Sequence, residues 1–180
     1  MSISKLMLLI ALLSLTGCGG ELDDLSPSGE NMTVPVVPGS SGVQVSQQAI
    51  DFVLNDTLNV PLTLSAEYPA ADALVLYFTM WCPVCDSHMG YMRQYIRPNF
   101  PNVSFYMIDY VSGSVTASRQ AQLSNGYTDF SVMVDEYQQI QDLYNATMGT
   151  TIVIDSTGIV RMNEDFKDGV KLYETLSLLP

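Results

Sequence analysis

The stretch Ala-Leu-Val-Leu-Tyr-Phe-Thr-Met-Trp-Cys-Pro-Val-Cys, residues 73–85, decides the fold of this chain. It opens with an apolar run, which predicts a buried strand. Cys82 and Cys85 follow, and the pattern after them predicts a helix over 83–96 that ends before Pro98. A strand that turns directly into a helix places Cys82 at the helix N-terminus, where partial positive charge favours a thiolate. We therefore predict redox chemistry at this turn.

The two cysteines have different predicted roles. Lowering a thiol pKa from about 8.5 to about 7 raises its thiolate fraction at neutral pH from a few per cent to roughly half, so Cys82 is the expected nucleophile. Cys85 lies three residues later on the same face of the first helical turn, where it can resolve a mixed disulfide formed at Cys82. Pro83 suits this turn because an early helix position needs no N–H donor.

Two structural roles compete with this interpretation. A Cys82–Cys85 disulfide that only stabilises the fold would close a very short loop, so it would constrain the unfolded chain little. Half of a zinc site is the other alternative, but structural zinc takes four ligands, and the remaining thiol and imidazole donors are Cys18 and His88 alone. We predict no metal and no cofactor apart from the redox-active cysteine pair itself.

The N-terminal residues predict export. Lys5 precedes an apolar run over 6–15 that has the length of a secretory signal. Ten helical residues reach about 15 Å, too short to span a hydrocarbon layer of roughly 30 Å. The run ends in Leu-Thr-Gly-Cys, residues 15–18, which resembles the processing box of bacterial lipoproteins. We predict a signal peptide over 1–17 and a membrane anchor through lipid on Cys18, which accounts for the odd third cysteine. An ordinary cleaved signal is the alternative.

Composition divides the rest of the chain. Residues 18–42 are rich in Gly, Ser, Pro and acidic residues and predict a flexible tether, whereas residues 43–180 suit one domain with one core. The formal net charge of −12 disfavours nucleic acid as a partner.

Inner-membrane lipoproteins of the enterobacterial type carry aspartate after the lipidated cysteine, where this chain has Gly19. The predicted location is the bacterial cell envelope, facing the periplasm, with the outer membrane favoured.

Hydrophobic periodicity predicts alternating strands and helices. The predicted strands cover 49–54, 60–64, 73–79, 103–108, 131–134, 150–154 and 159–162. The predicted helices cover 83–96, 116–123, 135–144 and 167–178, the third with Asp135 as its N-cap. The expected fold is α/β, a mixed central sheet flanked by helices, and the first two strands form an N-terminal β-hairpin extension.

These residues resemble the thioredoxin-like superfamily, and within it the exported TlpA/ResA-type redoxins. Residues 49–54 are similar to the opening strand, 74–85 to the strand and active-site turn, and 150–160 to the hairpin of type Thr-Thr-x-x-x-Asp-x-x-Gly-x-Val. The resemblance implies a thioredoxin-like fold and a thiol-disulfide oxidoreductase in which Cys82 attacks and Cys85 resolves. It also implies that the substrate contacts Trp81, Pro83, Gly149 and Thr150.

Two positions refine this comparison. His88 follows Cys85 on the same helix face, where many TlpA/ResA-type proteins carry glutamate, so it is the expected proton shuttle with a pKa near 6.5. A partly exposed histidine with no chemical role is the alternative. Gly149 takes the place of the family's cis-proline, so the peptide joining Met148 and Gly149 is predicted to be trans. The loop that faces Cys82 is then expected to differ in shape from its relatives.

Three functions remain open from the sequence. The main prediction is disulfide exchange with exported proteins and an unidentified redox partner, in cytochrome c maturation or general extracytoplasmic thiol maintenance. A thiol peroxidase is one alternative, because Thr79 and Cys82 match the end of the pattern Pro-x-x-x-Thr-x-x-Cys, although Val75 replaces the proline and only Arg119 offers a cation. Copper handling is the other, because the cysteines, His88 and nearby methionines are donors suited to Cu(I).

Overall fold

The computed structural model describes residues 35–179, so the predicted signal peptide, Cys18 and most of the predicted tether lie outside the described residues. The strands are β1 (Ser41–Gly42), β2 (Gln48–Ala49), β3 (Val53–Asp56), β4 (Pro61–Thr63), β5 (Ala73–Thr79), β6 (Val103–Asp109), β7 (Ser131–Val134), β8 (Thr150–Asp155) and β9 (Val160–Asp165). The α-helices are α1 (Leu64–Glu67), α2 (Pro83–Tyr91), α3 (Val115–Ser124), α4 (Gln139–Tyr144) and α5 (Val170–Ser177). Within residues 35–179, no helix combines the length and the hydropathy needed to cross a membrane.

Seven strands form the central sheet, in the order β4-β3-β7-β6-β5-β8-β9. Strands β5, β6 and β7 are parallel to one another, and the other neighbours pair antiparallel, so the predicted mixed sheet is confirmed. Strand β5 is buried along its whole length because strands and helices cover it on every side, which explains its uninterrupted apolar sequence. The carboxyl ends of the parallel strands meet at one edge of the sheet, and the redox turn follows β5 there.

The strand period of two sends alternate side chains of β5 into two separate hydrophobic clusters. Leu74, Leu76 and Phe78 pack on one face of the sheet. Ala73, Val75 and Tyr77 pack on the other, in the cluster that also contains Cys85 and helix α2. The face that holds Tyr77 is therefore the face beneath the redox helix.

The N-terminal hairpin is present; its second strand lies within the predicted bounds, and its first strand begins four residues later than predicted. Its strands are β3 and β4, and β3 also pairs with β7, so the extension continues the central sheet. The Asp56 carboxylate accepts hydrogen bonds from the N–H groups of Leu58 and Val60, which fixes the turn after Asp56. Ala49 belongs instead to β2, which pairs in parallel with β1 inside the segment predicted as tether.

Two predicted helices have different bounds in the structure. The helix predicted over 83–96 consists of α2 and a π-helical turn over Met92–Ile96, and Pro98 lies in a separate 3₁₀ turn, Arg97–Asn99. The helix predicted from Asp135 begins four residues later at Gln139, so Asp135 is not its N-cap residue. Its carboxylate nevertheless accepts hydrogen bonds from the N–H groups of Ile140 and Gln141, at 2.9 and 2.8 Å, and therefore caps the helix from a distance.

Candidate active site

The redox turn brings the two predicted cysteines into contact. Cys82 is the N-cap of α2, and its Sγ accepts a hydrogen bond from the backbone N–H of Cys85 at 3.2 Å. The two Sγ atoms are 2.7 Å apart, and both cysteines are free thiols. A disulfide bond is about 2.05 Å long, so only a small movement separates the reduced pair from the oxidised one. Pro83 occupies the start of the helix, as predicted.

The two thiols differ in access. Cys82 is partly exposed, whereas Cys85 is completely buried in the cluster that contains Tyr77 and Met89. A bulky disulfide substrate can therefore reach Cys82 first. Cys85 can act only on a sulfur that is already bonded at Cys82, which is the geometry expected of a resolving cysteine.

The electrostatics of Cys82 differ from the sequence prediction. Burial raises the pKa of the Cys82 thiol above its usual value, and the adjacent Cys85 thiol raises it further. The backbone N–H groups of Cys85 and Val84 act in the opposite direction but are outweighed. The prediction of an acidic Cys82 thiol, based on its place at a helix N-terminus, is therefore wrong for the reduced pair, because desolvation by the surrounding core is the larger effect.

Alkylation of Cys82 should follow this raised pKa. We expect the rate of its reaction with iodoacetamide to rise about tenfold per pH unit from pH 6 to 8, because the thiolate fraction grows tenfold per unit below the pKa. Mass spectrometry of the quenched protein measures the modification, and Cys85→Ser serves as the control that leaves one reactive thiol. A rate that levels off near pH 7 would contradict the raised pKa.

His88 is buried beside the cysteines and not partly exposed. Its Nδ1 lies 2.9 Å from the Tyr77 hydroxyl, and its ring packs against Phe166 with ring centres 4.3 Å apart. Burial lowers the pKa of His88 to about 4, so the side chain is neutral at physiological pH. The expected pKa near 6.5 is therefore wrong, because burial removes water from around the ring and no charged residue within 35–179 offsets that loss.

Tyr77 is a site residue that the sequence analysis did not identify. Its hydroxyl contacts His88 and lies close enough to Cys85 that burial, together with the charge and hydrogen bonding of the Cys85 thiol, raises the pKa of Tyr77 well above its usual value. A tyrosine within an apolar strand is usually interpreted as an ordinary core residue. Its position was the one feature that could have indicated a role in the site, because Tyr77 lies five residues before Cys82 on the strand that leads into the redox turn.

Trp81 has a left-handed backbone conformation, with φ of 58°. Such a conformation costs a non-glycine residue of order 1–3 kcal/mol and persists only where neighbouring groups enforce it. The Trp81 N–H donates to Thr79 Oγ1 at 3.2 Å, and its indole Nε1–H donates to Asp109 Oδ2 at 2.6 Å. Asp109 is buried at the end of β6 and is itself held by Ser112. Trp81 is therefore fixed beside Cys82, and its contact with a substrate stays a prediction.

The loop at Gly149 is closed by its own hydrogen bonds. The Thr150 N–H donates to the Thr147 carbonyl at 3.0 Å, and Gly149 has φ of 91°, the conformation that type II turns require at their third residue. The Gly149 N–H donates to the Phe78 carbonyl, and its carbonyl accepts from Phe166. All peptide bonds of residues 35–179, including the one before Gly149, are trans.

This loop bears on the predicted substrate contacts. Both backbone polar groups of Gly149 already have partners within the protein, and the buried Thr150 hydroxyl donates to Asp165 Oδ1 at 3.0 Å. Trp81 is partly exposed and Pro83 is exposed, next to Cys82 in the redox turn, whereas Gly149 and Thr150 are buried. Pairing of a substrate backbone with Gly149 would require these internal bonds to break.

The residues named for the peroxidase alternative have contacts of their own within the protein. Val75, at the proline position, is buried in the middle of β5. The Thr79 hydroxyl accepts from Trp81 N–H and donates to Met89 Sδ. Arg119 donates to Gln122 Oε1 at 2.7 Å, so its guanidinium is engaged on helix α3.

The loop after α3 anchors the redox helix. The Tyr127 hydroxyl donates to Asp86 Oδ1 at 2.6 Å, and its ring lies 6.5 Å from that of Trp81. The Arg93 guanidinium lies 4.3 Å from the centre of the Tyr127 ring and forms an ion pair with Asp129. These contacts join α2 and the π-helical turn that follows it to one loop and hold the redox turn in place.

Comparison with known proteins identifies the family of this chain. The sequence profile described as the AhpC/TSA family matches residues 45–163, more than half of the chain and the whole redox turn. The chain belongs to the AhpC/TSA family. This AhpC/TSA protein is a thioredoxin-like redox enzyme, and the resemblance stated from the sequence is confirmed. No curated protein matches the chain by sequence.

Several solved structures share the fold of this AhpC/TSA protein. DsbF from MTB, seen in mixed oxidized and reduced forms, is 18% identical with a TM-score of 0.59, over 72% of this chain and 95% of that one. A secreted Mycobacterium tuberculosis disulfide oxidoreductase homologous to E. coli DsbE is 19% identical with a TM-score of 0.58, over 71% and 96%. Peroxidoxin BcpB from Mycobacterium tuberculosis is 20% identical with a TM-score of 0.55, over 73% and 93%. At these identities the matches establish the thioredoxin-like fold.

Proposed function

We propose that this protein is a thiol-disulfide oxidoreductase that reduces disulfides of exported proteins through Cys82 and Cys85. The observation that carries the proposal is the contact of a partly exposed thiol with a fully buried one across 2.7 Å at the start of α2. Cys82 attacks the substrate disulfide and forms a mixed disulfide. Cys85 then attacks Cys82 Sγ, which releases the reduced substrate and leaves the Cys82–Cys85 disulfide.

The raised pKa of Cys82 supports the reducing direction. A redox protein is a strong oxidant when its reduced form is stabilised, commonly as a thiolate. Burial here disfavours the Cys82 thiolate, so the reduced form lacks that stabilisation and gives up its electrons more readily. The neutral His88 adds no positive charge that would favour the thiolate.

The cellular setting is part of the proposal. We place the protein in the bacterial cell envelope, anchored through lipid on Cys18 and facing the periplasm, preferentially at the outer membrane. The Leu-Thr-Gly-Cys box at 15–18 and the odd third cysteine support the anchor. Its substrates are then protein disulfides of that compartment, in cytochrome c maturation or general thiol maintenance. Release of an acyl-modified N-terminal cysteine peptide from the purified membrane fraction tests the anchor.

The reduction potential tests the direction. We expect a value below about −250 mV for the Cys82/Cys85 couple of the full-length protein, measured by equilibration with dithiothreitol and thiol labelling. A value near −120 mV would instead identify an oxidant.

Trapping tests the assigned roles of the two cysteines. Cys85→Ser should accumulate mixed disulfides with periplasmic proteins, because the first attack still occurs and the resolving thiol is missing. Cys82→Ser is the matched control and should trap none, since Cys85 is buried. Trapping by Cys82→Ser alone would reverse the roles, and trapping by neither variant would contradict the proposal.

Peroxide consumption separates this proposal from the peroxidase alternative. The reduced protein should react with hydrogen peroxide no faster than an ordinary thiol, because Arg119 is engaged with Gln122 and burial raises the Cys82 pKa. Stopped-flow mixing with peroxide, with Cys82→Ser as the blank, measures this rate. A rapid Cys82-dependent reaction would favour the peroxidase function.

A further inference from the structure

One negative charge stands on the redox helix close to Cys82. Asp86 is the only aspartate, glutamate, lysine or arginine over 80–92, and His88 in the same segment is neutral at physiological pH. The Asp86 N–H donates to the Cys82 carbonyl at 2.9 Å, so Asp86 lies one helical turn after Cys82. Side chains one turn apart share a helix face, with Cβ atoms about 5–6 Å apart. Because Asp86 is exposed and Cys82 is partly exposed, a substrate that reaches the Cys82 sulfur also meets the Asp86 carboxylate.

A buried hydroxyl group holds this carboxylate in place. Tyr127 is 2% exposed, and its hydroxyl lies 2.6 Å from Asp86 Oδ1 and 2.9 Å from the Asp86 carbonyl oxygen. Burial and the hydrogen bond to Asp86 raise the pKa of Tyr127, so the hydroxyl remains a donor at physiological pH. The Arg93 guanidinium packs on the Tyr127 ring and donates to the Gly126 carbonyl at 2.9 Å, which fixes the loop that carries the donor. The Asp86 carboxylate is therefore an oriented charge.

No ion pair within residues 35–179 neutralises Asp86. The four arginines of this part of the chain have other partners: Arg93 and Arg97 pair with Asp129, Arg161 pairs with Asp155, and Arg119 donates to Gln122. The two lysines, Lys167 and Lys171, lie just before helix α5 and within it. The carboxylate thus acts on any charged group that approaches Cys82.

We propose that Asp86 makes this enzyme selective for disulfides that lie beside basic residues. The proposal rests on the proposed disulfide exchange and deepens it by naming the substrate class, which is protein disulfides with lysine or arginine next to the cysteine. A cation beside the substrate sulfur is attracted to the Asp86 carboxylate when that sulfur meets Cys82, whereas a carboxylate in the same place is repelled. Asp86 is a specificity residue in this scheme, and Tyr127 is a positioning residue that acts through it.

Coulomb's law gives the size of the effect. Two unit charges about 6 Å apart change a rate by about threefold even at the dielectric constant of water, and by more near a protein surface. A lysine beside the substrate cysteine therefore gains about threefold and a glutamate loses about threefold, a ratio of about ten. Salt screens this interaction, because the Debye length falls from about 30 Å at 0.01 M ionic strength to about 3 Å at 1 M.

Matched peptides test the selection in the full-length protein. Each peptide has one cysteine joined by a disulfide to 2-nitro-5-thiobenzoate, and the peptides differ only in the residue before the cysteine, which is Lys, Gln or Glu. The Cys82 thiolate attacks the peptide sulfur, and the electron pair of the broken bond leaves on the coloured thiolate, so stopped-flow absorbance gives the rate constant. We expect the Lys peptide to react about tenfold faster than the Glu peptide at low ionic strength, and the ratio to approach one at about 1 M salt.

Three variants separate local charge, its position and net charge. Asp86→Asn keeps an oxygen that accepts from Tyr127 but has no charge, so the Lys-to-Glu ratio should fall about tenfold. Tyr127→Phe leaves the charge but releases the carboxylate, so the ratio should fall by only about twofold to threefold. Asp72→Asn is the control, because it removes an exposed charge just before β5, at the opposite edge of the sheet and roughly 20 Å from the redox turn. It should keep the wild-type ratio.

Each remaining outcome overturns a defined claim. An unchanged ratio in Asp86→Asn overturns the selection by charge while the proposed disulfide exchange stands. An equal loss in Asp72→Asn would assign the preference to net charge and would also overturn the role of Asp86. A wild-type ratio in Tyr127→Phe would overturn the positioning role of Tyr127. Failure of the wild-type protein to release colour even from the uncharged Gln peptide would overturn the proposed disulfide exchange itself.

Discussion

Replacing Gly149 by proline should destabilise the protein by about 3 kcal/mol or more, even though proline is the residue that related redoxins carry at this position. The native φ of Gly149 is 91°, whereas the proline ring fixes φ near −65°. Proline would also remove the N–H that donates to the Phe78 carbonyl at 3.0 Å, which leaves a buried acceptor unpaired. Denaturant unfolding of the wild type and the variant measures the difference.

Gly149→Ala separates the two contributions. Alanine keeps the N–H donor and is only strained by the left-handed backbone, so it should cost about 1–2 kcal/mol and retain the hydrogen bond to Phe78. A proline variant that is as stable as the wild type would mean that the loop over 147–150 can adopt the shape found in its relatives. The inward-facing arrangement of Gly149 and Thr150 would then be wrong.

Local sequence signals were sufficient for the elements that carry the redox turn. The uninterrupted apolar run at 73–79 predicted a buried strand, and the structure confirms it as β5. The residues after Cys82 begin a helix, as predicted. The hairpin of β8 and β9 was predicted within a few residues because its turn at 155–158 is rich in Asp, Ser, Thr and Gly. These features depend on neighbours in the sequence, which is why the sequence reveals them.

Long-range contacts explain what the sequence did not reveal. Tyr77 lies within β5 and Asp109 is the last residue of β6. Only the parallel pairing of these strands brings Asp109 to the indole of Trp81. The start of α4 was misplaced because Asp135 reaches its N–H groups from outside the helix. No periodicity in a single segment encodes such contacts.

The pKa of each site group was the least predictable property. Helix position alone suggested an acidic Cys82, and an average environment suggested an ordinary His88. Both predictions were wrong for the same reason: helix α2 packs against a buried cluster of aromatic and methionine side chains. The free energy of desolvating a charge depends on all the residues packed around it. Most of those residues come from other parts of the chain, so the sequence of the turn alone does not reveal them.

His88 should make the stability of the protein fall steeply on mild acidification. Its pKa is about 4 in the folded protein, against about 6.5 when exposed, so the unfolded chain binds the proton more tightly. The stabilisation is complete above pH 6.5 and is lost progressively as pH falls toward 4. At 1.36 kcal/mol per unit, the difference of about 2.5 units corresponds to about 3 kcal/mol.

The comparison with His88→Gln isolates this contribution. Glutamine can still accept a hydrogen bond from the Tyr77 hydroxyl but does not titrate. Between pH 7 and 4, the free energy of unfolding of His88→Gln should therefore fall less than that of the wild type, and the difference should reach about 3 kcal/mol. Asp135 and Asp155 titrate in both proteins, and their effects cancel in the difference. Urea unfolding at several pH values provides the measurement. Parallel curves would mean that folded His88 binds protons like an exposed histidine, which would contradict the effect of burial on its pKa.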